Sequence, residues 1–164
     1  MGRCKMTSPF NSPLETGIRT LAILTAVFPR SLDLQHLVYF DYLVLHSGDV
    51  KGPDSLHTPV PLRFGELTVR RGLIERGIFL MMSRQLVERL VSSEGFHYIA
   101  TDTAGAFLSM MSSRYILKLK DRAEWVAGTF GESTLEELQA LERSFFREWS
   151  TQFHSIDRAG GQGL

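Results

Sequence analysis

Cysteine is nearly absent. Cys4 stands alone near the start of a 164-residue chain, which excludes a disulfide framework and a thiolate metal set. A reducing cytoplasm is the expected compartment. Long hydrophobic runs are missing too. Leu21–Phe28 and Leu37–Leu45 are too short to cross a bilayer, and Met1-Gly2-Arg3-Cys4-Lys5-Met6 opens no signal-peptide stretch. A soluble protein with no membrane partner is expected. Net charge is also lacking: 18 Lys and Arg balance 18 Asp and Glu. Autonomous, sequence-independent DNA binding usually needs a basic excess, so neutrality argues against it.

Signatures of catalysis are equally scarce. Gly65, Gly72 and Gly77 are not spaced as a dinucleotide loop, and no lysine follows a Walker-type glycine run. Ser31 and Ser83 lack the G-x-S-x-G setting of an activated nucleophile. The chain is therefore expected to be no enzyme and to take no cofactor.

What is present is an ordinary globular composition, 43% hydrophobic and 22% charged, in a length that suits one well-buried core. The charge is uneven along the chain. Arg63, Arg70, Arg71, Arg76, Arg84 and Arg89 face only Glu66, Glu75 and Glu88 in the middle. Five glutamates face only Arg143 and Arg147 between Glu132 and Glu148.

The pattern divides the chain into a flexible lead (1–11), a domain over 12–112, C-terminal helices over 113–156 and a disordered tail (157–164). Ser12-Pro13-Leu14-Glu15 reads as a capping box opening a helix that Pro29 stops, with Leu14, Ile18, Leu21 and Leu24 or Thr25 on its buried side. Ser31 or Asp33 caps a second helix, Leu34 to His46, apolar nearly all round and so expected in the core or an interface. Residues 47–64 form a long proline-containing connection, a length that favours a contact-making loop.

Leu67, Ile74, Ile78 and Met81 mark one face of a third helix. Two strands follow, Leu86–Val91 and Phe96–Ala100, joined by Ser92-Ser93-Glu94-Gly95. Thr101-Asp102-Thr103 caps a helix to about 112, Ser113 starts another that Gly128 and Gly131 break, and Ser133-Thr134-Leu135-Glu136 opens the last. Helix, hairpin, helix is the later part of a winged helix-turn-helix. The expected class is therefore mainly α with a small β-hairpin, a winged helix-turn-helix with additional C-terminal helices.

Candidate site residues follow from this frame. Arg70 and Arg71 on the third helix, with Arg84 and Arg89 at its end and on the wing, are the side chains that could reach phosphates or base edges. His46, Asp49 and His57 lie in or beside the long loop. Two histidines and a carboxylate can bind zinc, but the spacing fits no helical ligand motif, and folding the loop by hydrogen bonds is the better account. Phe145 and Phe146 are about 100° apart on a helix, so one of them should be exposed. Phe146, Trp149 and Phe153, with the loop residues, are thus expected at a protein interface.

Several segments resemble a known family. Pro9-Phe10-Asn11-Ser12-Pro13-Leu14-Glu15, Leu45-His46-Ser47-Gly48-Asp49-Val50, and Pro53 with Ser55-Leu56-His57 are similar to the middle component, type 2, of ABC three-component systems. Arg70 to Gly77, Leu80 to Arg84, Leu86 to Arg89 and Ala123-Glu124-Trp125-Val126 extend the likeness, which covers about residues 9–130 and fades after Thr129. The resemblance implies an adaptor between an effector, often a nuclease, and a coiled-coil ABC ATPase of the chromosome-maintenance (SMC-like) type. Such systems are similar to Lamassu-type defence against phages and plasmids. DNA would then be met through the complex. The alternative is a dimeric winged-helix DNA-binding regulator.

Overall fold

The computed structural model describes residues 12–57, 64–145 and 147. Helix α1 is Pro13–Val27, with the Ser12 hydroxyl accepting from Glu15 N–H at 3.2 Å and proline in the first turn. Helix α2, Leu34–Leu45, is capped by Asp33, which accepts from His36 N–H at 2.8 Å. A short 3-10 turn, Ser47–Val50, leads into the connection. Helix α3 is Phe64–Ser83, starting three residues before the first periodic leucine.

Strands β1, Val87–Ser92, and β2, Gly95–Ala100, pair antiparallel from Val87↔Ala100 to Ser92↔Gly95. Helix α4 is Ala104–Ser109 and α5 is Arg114–Phe130. Residues 135–145 are helical again. The expected class, mainly α with a small β-hairpin, is the observed one.

Two capping expectations shift. Thr103 makes no side-chain cap to α4; the Thr101 hydroxyl instead donates to the Gln85 carbonyl at 2.8 Å, tying α4's entry to the end of α3. The last capping box lies one residue later than its sequence suggests. Thr134 and Glu137 exchange side-chain-to-backbone bonds at 3.2 and 3.1 Å. Gly128 lies inside α5, which ends only at Phe130.

Helix α2 is buried continuously from Leu37 to Leu45, as its nearly unbroken apolar surface requires. Helix α1 is also enclosed, from Thr16 to Leu24, while Leu14 is exposed rather than in the core. The reason is position: α1 packs against α3, α5, α2 and β2, so a single apolar stripe does not describe its surroundings. Two glycines set the α1–α3 crossing. A Cβ on Gly77 would lie 2.7 Å from the Gly17 nitrogen, and one on Gly17 would lie 2.9 Å from the Gly77 carbonyl oxygen.

Ile74, Ile78 and Met81 of α3 enter the core on the predicted face. One buried cluster runs from Ile18 to Leu138, so α5 and the final helical stretch share the core of the earlier elements. Leu32, between α1 and α2, exchanges both backbone bonds with Tyr98 at 2.9 and 2.8 Å, adding a one-residue bridge to the hairpin's β2 edge.

Candidate functional site

Three helices each deliver one charge to a single buried point. Arg19 comes from α1, Asp41 from α2 and Arg70 from α3. Asp41 is fully buried, with Arg19 Nε at 2.8 Å from Oδ1 and an Arg70 terminal nitrogen at 2.5 Å from Oδ2. Burial by itself would raise the Asp41 carboxyl. The two guanidiniums and their hydrogen bonds reverse this and hold it below its ordinary value. Burial likewise opposes the charge on Arg19, and Asp41 overrides it, raising the arginine further. The carboxylate is thus ionised and doubly clamped.

The loop after α2 is built against this point. Leu45 O accepts from Leu56 and His57 N–H at 3.0 and 3.2 Å, closing the loop on the end of α2. The Ser47 hydroxyl donates to Pro53 O at 2.8 Å, and Gly48 N–H to Ser55 Oγ at 2.9 Å. Gly52 is required by close approach: its Cβ would fall 2.4 Å from the Trp125 ring. Arg122 of α5 donates to Asp54 O at 3.0 Å.

Of the loop's titratable groups, His46, Asp49 and His57 turn inward, while Lys51 and Asp54 are exposed. Tyr42 donates to Asp49 Oδ2 at 2.7 Å, and Arg70 lies over the Tyr42 ring, 5.8 Å from its centroid. His46 is buried against Tyr42, ring centroids 4.7 Å apart. Burial, with Arg70 adding to it, pushes His46 down to about 4, so it is neutral at pH 7. His57 Nε2 lies 3.2 Å from the Tyr115 hydroxyl of α5. Burial first, then Arg19, lowers His57, and burial raises Tyr115. Tyr42, His46, His57 and Tyr115 form a ring-to-ring series from α2 to α5.

His46 and His57 therefore lie ring to ring, 6.4 Å between centroids, and the Asp49 carboxylate is tied to the His46 ring through Tyr42. Asp49 bonds Tyr42 and His57 bonds Tyr115, which is the loop-folding role that their spacing favoured. Among the described residues, no three His, Cys, Asp or Glu come together as a metal set.

The four arginines separate. Arg70 shares the α3 face of Ile74 and Ile78, four and eight residues on, and so points into the protein. Arg71 is exposed and bonds Gln35 Oε1 at 3.2 Å; Arg84 is exposed. Arg89 is exposed, with its guanidinium carbon over Phe96, 4.5 Å from the ring centroid. Phe146, Trp149 and Phe153 lie outside the described residues.

Sequence reasoning missed Arg19 and Asp41, although a signal existed. Each is a charge set among mostly apolar residues in the middle of its helix, and a buried charge needs a partner.

Elsewhere, a narrow apolar groove lies between α2 and the final helical stretch, lined by Tyr39, Leu43, Leu138, Leu141 and Phe145. Tyr39 donates to Glu142 Oε2 across it at 2.6 Å. Burial first, then that bond, pushes the Tyr39 hydroxyl up to about 12.

Comparison with curated proteins and with solved structures gives no match. A family model does match, and it runs beyond Thr129 and through the last helical stretch, so that stretch belongs to the family pattern and is not particular to this chain. Covering residues 9–152, the match places the chain in the family ABC-three component (ABC-3C) system Middle Component 2.

Proposed function

We propose that this middle component is a non-catalytic adaptor that joins an effector, a nuclease, to an SMC-like coiled-coil ABC ATPase in a Lamassu-like bacterial defence complex against phages or plasmids. The observation that carries the reading is the family match over 9–152, which makes the chain one component of a multi-component system and gives it protein partners. In this reading the adaptor works in the cytoplasm. It holds the effector inactive beside the ATPase until foreign DNA is sensed, and nucleotide-driven motion passes through its rigid surfaces.

The polar centre supports a structural rather than a chemical role. Both oxygens of Asp41 are taken by arginines, His46 is enclosed and neutral, and the Ser47 hydroxyl is engaged with a carbonyl. Rigidity is what an adaptor needs. Exposed Phe79, Val91, Phe96, Met110 and Leu117 supply apolar surface for partners. The winged-helix assignment is supported by element order: helix, one-residue bridge, two helices, then a hairpin that the bridge joins.

The test is co-expression with the ATPase and effector encoded beside it. The adaptor reading expects all three to co-elute and the isolated chain to turn over neither nucleotide nor nucleic acid. Separate elution, or turnover by the lone chain, overturns it.

Exposed Arg71, Arg84 and Arg89 favour a second reading, a dimeric winged-helix DNA-binding regulator. A gel shift of the purified chain with a steep salt dependence supports that alternative; no shift removes it.

A further inference from the structure

The β-hairpin has one satisfied edge and one open edge. On β2, Tyr98 exchanges both backbone bonds with Leu32. Arg89↔Tyr98 is therefore a non-hydrogen-bonded pair of the ladder, and the backbone N–H and C=O of Arg89 point away from β2. By the two-residue period, those of Val87 and Val91 point the same way. Among the described residues no backbone hydrogen bond reaches these groups, and β1 is exposed from Glu88 to Ser92.

The side chains beside this edge are apolar on both faces of the hairpin. Val91 is 73% exposed and its cross-strand neighbour Phe96 52%; Leu90, on the opposite face, is 40% exposed. A bare edge flanked by exposed aliphatic and aromatic groups is a template for strand pairing. Arg89 adds direction. Its guanidinium lies 4.5 Å from the Phe96 ring centroid on β2, which holds a cation on the hairpin face that a residue opposite Arg89 in an added strand would share.

We propose that β1 is a strand-addition site that takes an extended segment of another subunit, antiparallel to β1, with a carboxylate opposite Arg89 and aliphatic residues opposite Leu90 and Val91. A residue opposite Glu88 is polar or basic. A second copy of this chain fits poorly. Two-fold pairing centred on Glu88 or Arg89 sets like charges directly opposite, and pairing centred on Leu90 or Val91 leaves both charges unmatched. The edge thus resists itself while remaining open to a strand of complementary charge. Main-chain bonds supply affinity, and the Arg89 partner supplies choice. The identity of the occupant as a fellow subunit rests on the adaptor reading; the edge itself does not.

Proline at Val91 removes only an outward N–H and leaves the β1–β2 ladder intact, as edge prolines do. With the co-expressed ATPase and effector, Val91→Pro is expected to lose one subunit on size exclusion while the amides of Glu88 and Leu90 stay protected. Co-elution at the wild-type level overturns the proposal. If Val91→Pro does not fold, Arg89→Glu serves the same comparison. If the wild-type chain meets neither subunit, the adaptor reading fails, and a peptide decides the edge separately.

The probe is a capped peptide with the core Val-Ile-Glu-Lys between Thr-Val repeats, beside its Val-Ile-Lys-Glu counterpart. The Arg89 and Val91 amides should become protected by the first at roughly fivefold lower concentration than by the second, and Arg89→Glu should abolish that preference, because each peptide then meets one opposite and one like charge. No protection at millimolar peptide, equal protection by both, or protection of β1 by a second copy alone overturns the assignment.

Discussion

Replacing Asp41 by asparagine tests the central claim about packing. Asp41 is completely buried and bonds Arg19 at 2.8 Å and Arg70 at 2.5 Å. Asparagine keeps the shape but removes the charge, leaving two guanidiniums near one another with no anion between them. The side chain of Arg19 is 3% exposed, so that cation has no ready access to water. Breaking one side of a buried pair costs roughly 3–5 kcal/mol, because an uncompensated charge remains inside. In a chain of this length each kcal/mol lowers Tm by about 2–4 °C, so a fall of order 10 °C is expected in a thermal melt.

The pH dependence has a definite sign. A carboxyl whose folded value is depressed contributes stability that is complete above its unfolded value and is lost as pH falls toward the folded one. The wild type should therefore lose this contribution below the ordinary carboxylate range, and Asp41→Asn should lack that part of the acid transition. Arg19→Met, Asp41→Leu and Arg70→Met together should recover much of the loss, because a packed apolar core replaces the whole charge cluster. An Asp41→Asn melt within a degree or two of wild type, with an unchanged acid limb, would refute the reasoning.

Further outcomes follow from other contacts. Gly77→Ala should cost about 1–3 kcal/mol in denaturant unfolding, since its Cβ meets Gly17 backbone at 2.7 Å and must part α1 from α3; Gly72→Ala, whose Cβ meets only the end of the Arg76 side chain at an ordinary 3.8 Å, should not destabilise. His46 should stay neutral down to about pH 4 when its ring protons are followed by NMR, and stability should fall as pH drops from 6.5 toward 4, because the unfolded chain takes up the proton first. Tyr39→Phe removes the 2.6 Å bond to Glu142 and should cost about 1 kcal/mol, seen as faster amide exchange in residues 138–141 with α1 unaffected.

Elements whose cause is local could be read directly along the chain. Ser12, Asp33 and Ser113 cap their helices because the oxygen that satisfies each first turn belongs to a residue next to it. The hairpin is legible because two strand-like runs flank a Ser-Ser-Glu-Gly turn, and Gly95 supplies the positive φ that the turn needs. The family likeness was legible from short motifs, and the misfit of His46, Asp49 and His57 to any helical ligand motif left hydrogen bonding as the better account of them.

Tertiary structure decided everything that depends on distant residues. Arg70 looked like a surface cation because a charge on a helix is usually solvated, although its spacing of four and eight to Ile74 and Ile78 sets it on the core face. Only the arrival of Asp41 from α2, between Arg70 and the Arg19 of α1, makes that face a place for a charge. Gly17 and Gly77 are sixty positions apart, and their close approach exists only once two helices cross. The open edge of β1 is of the same kind. Local propensity makes a strand, but which side stays unpaired depends on where Leu32 settles.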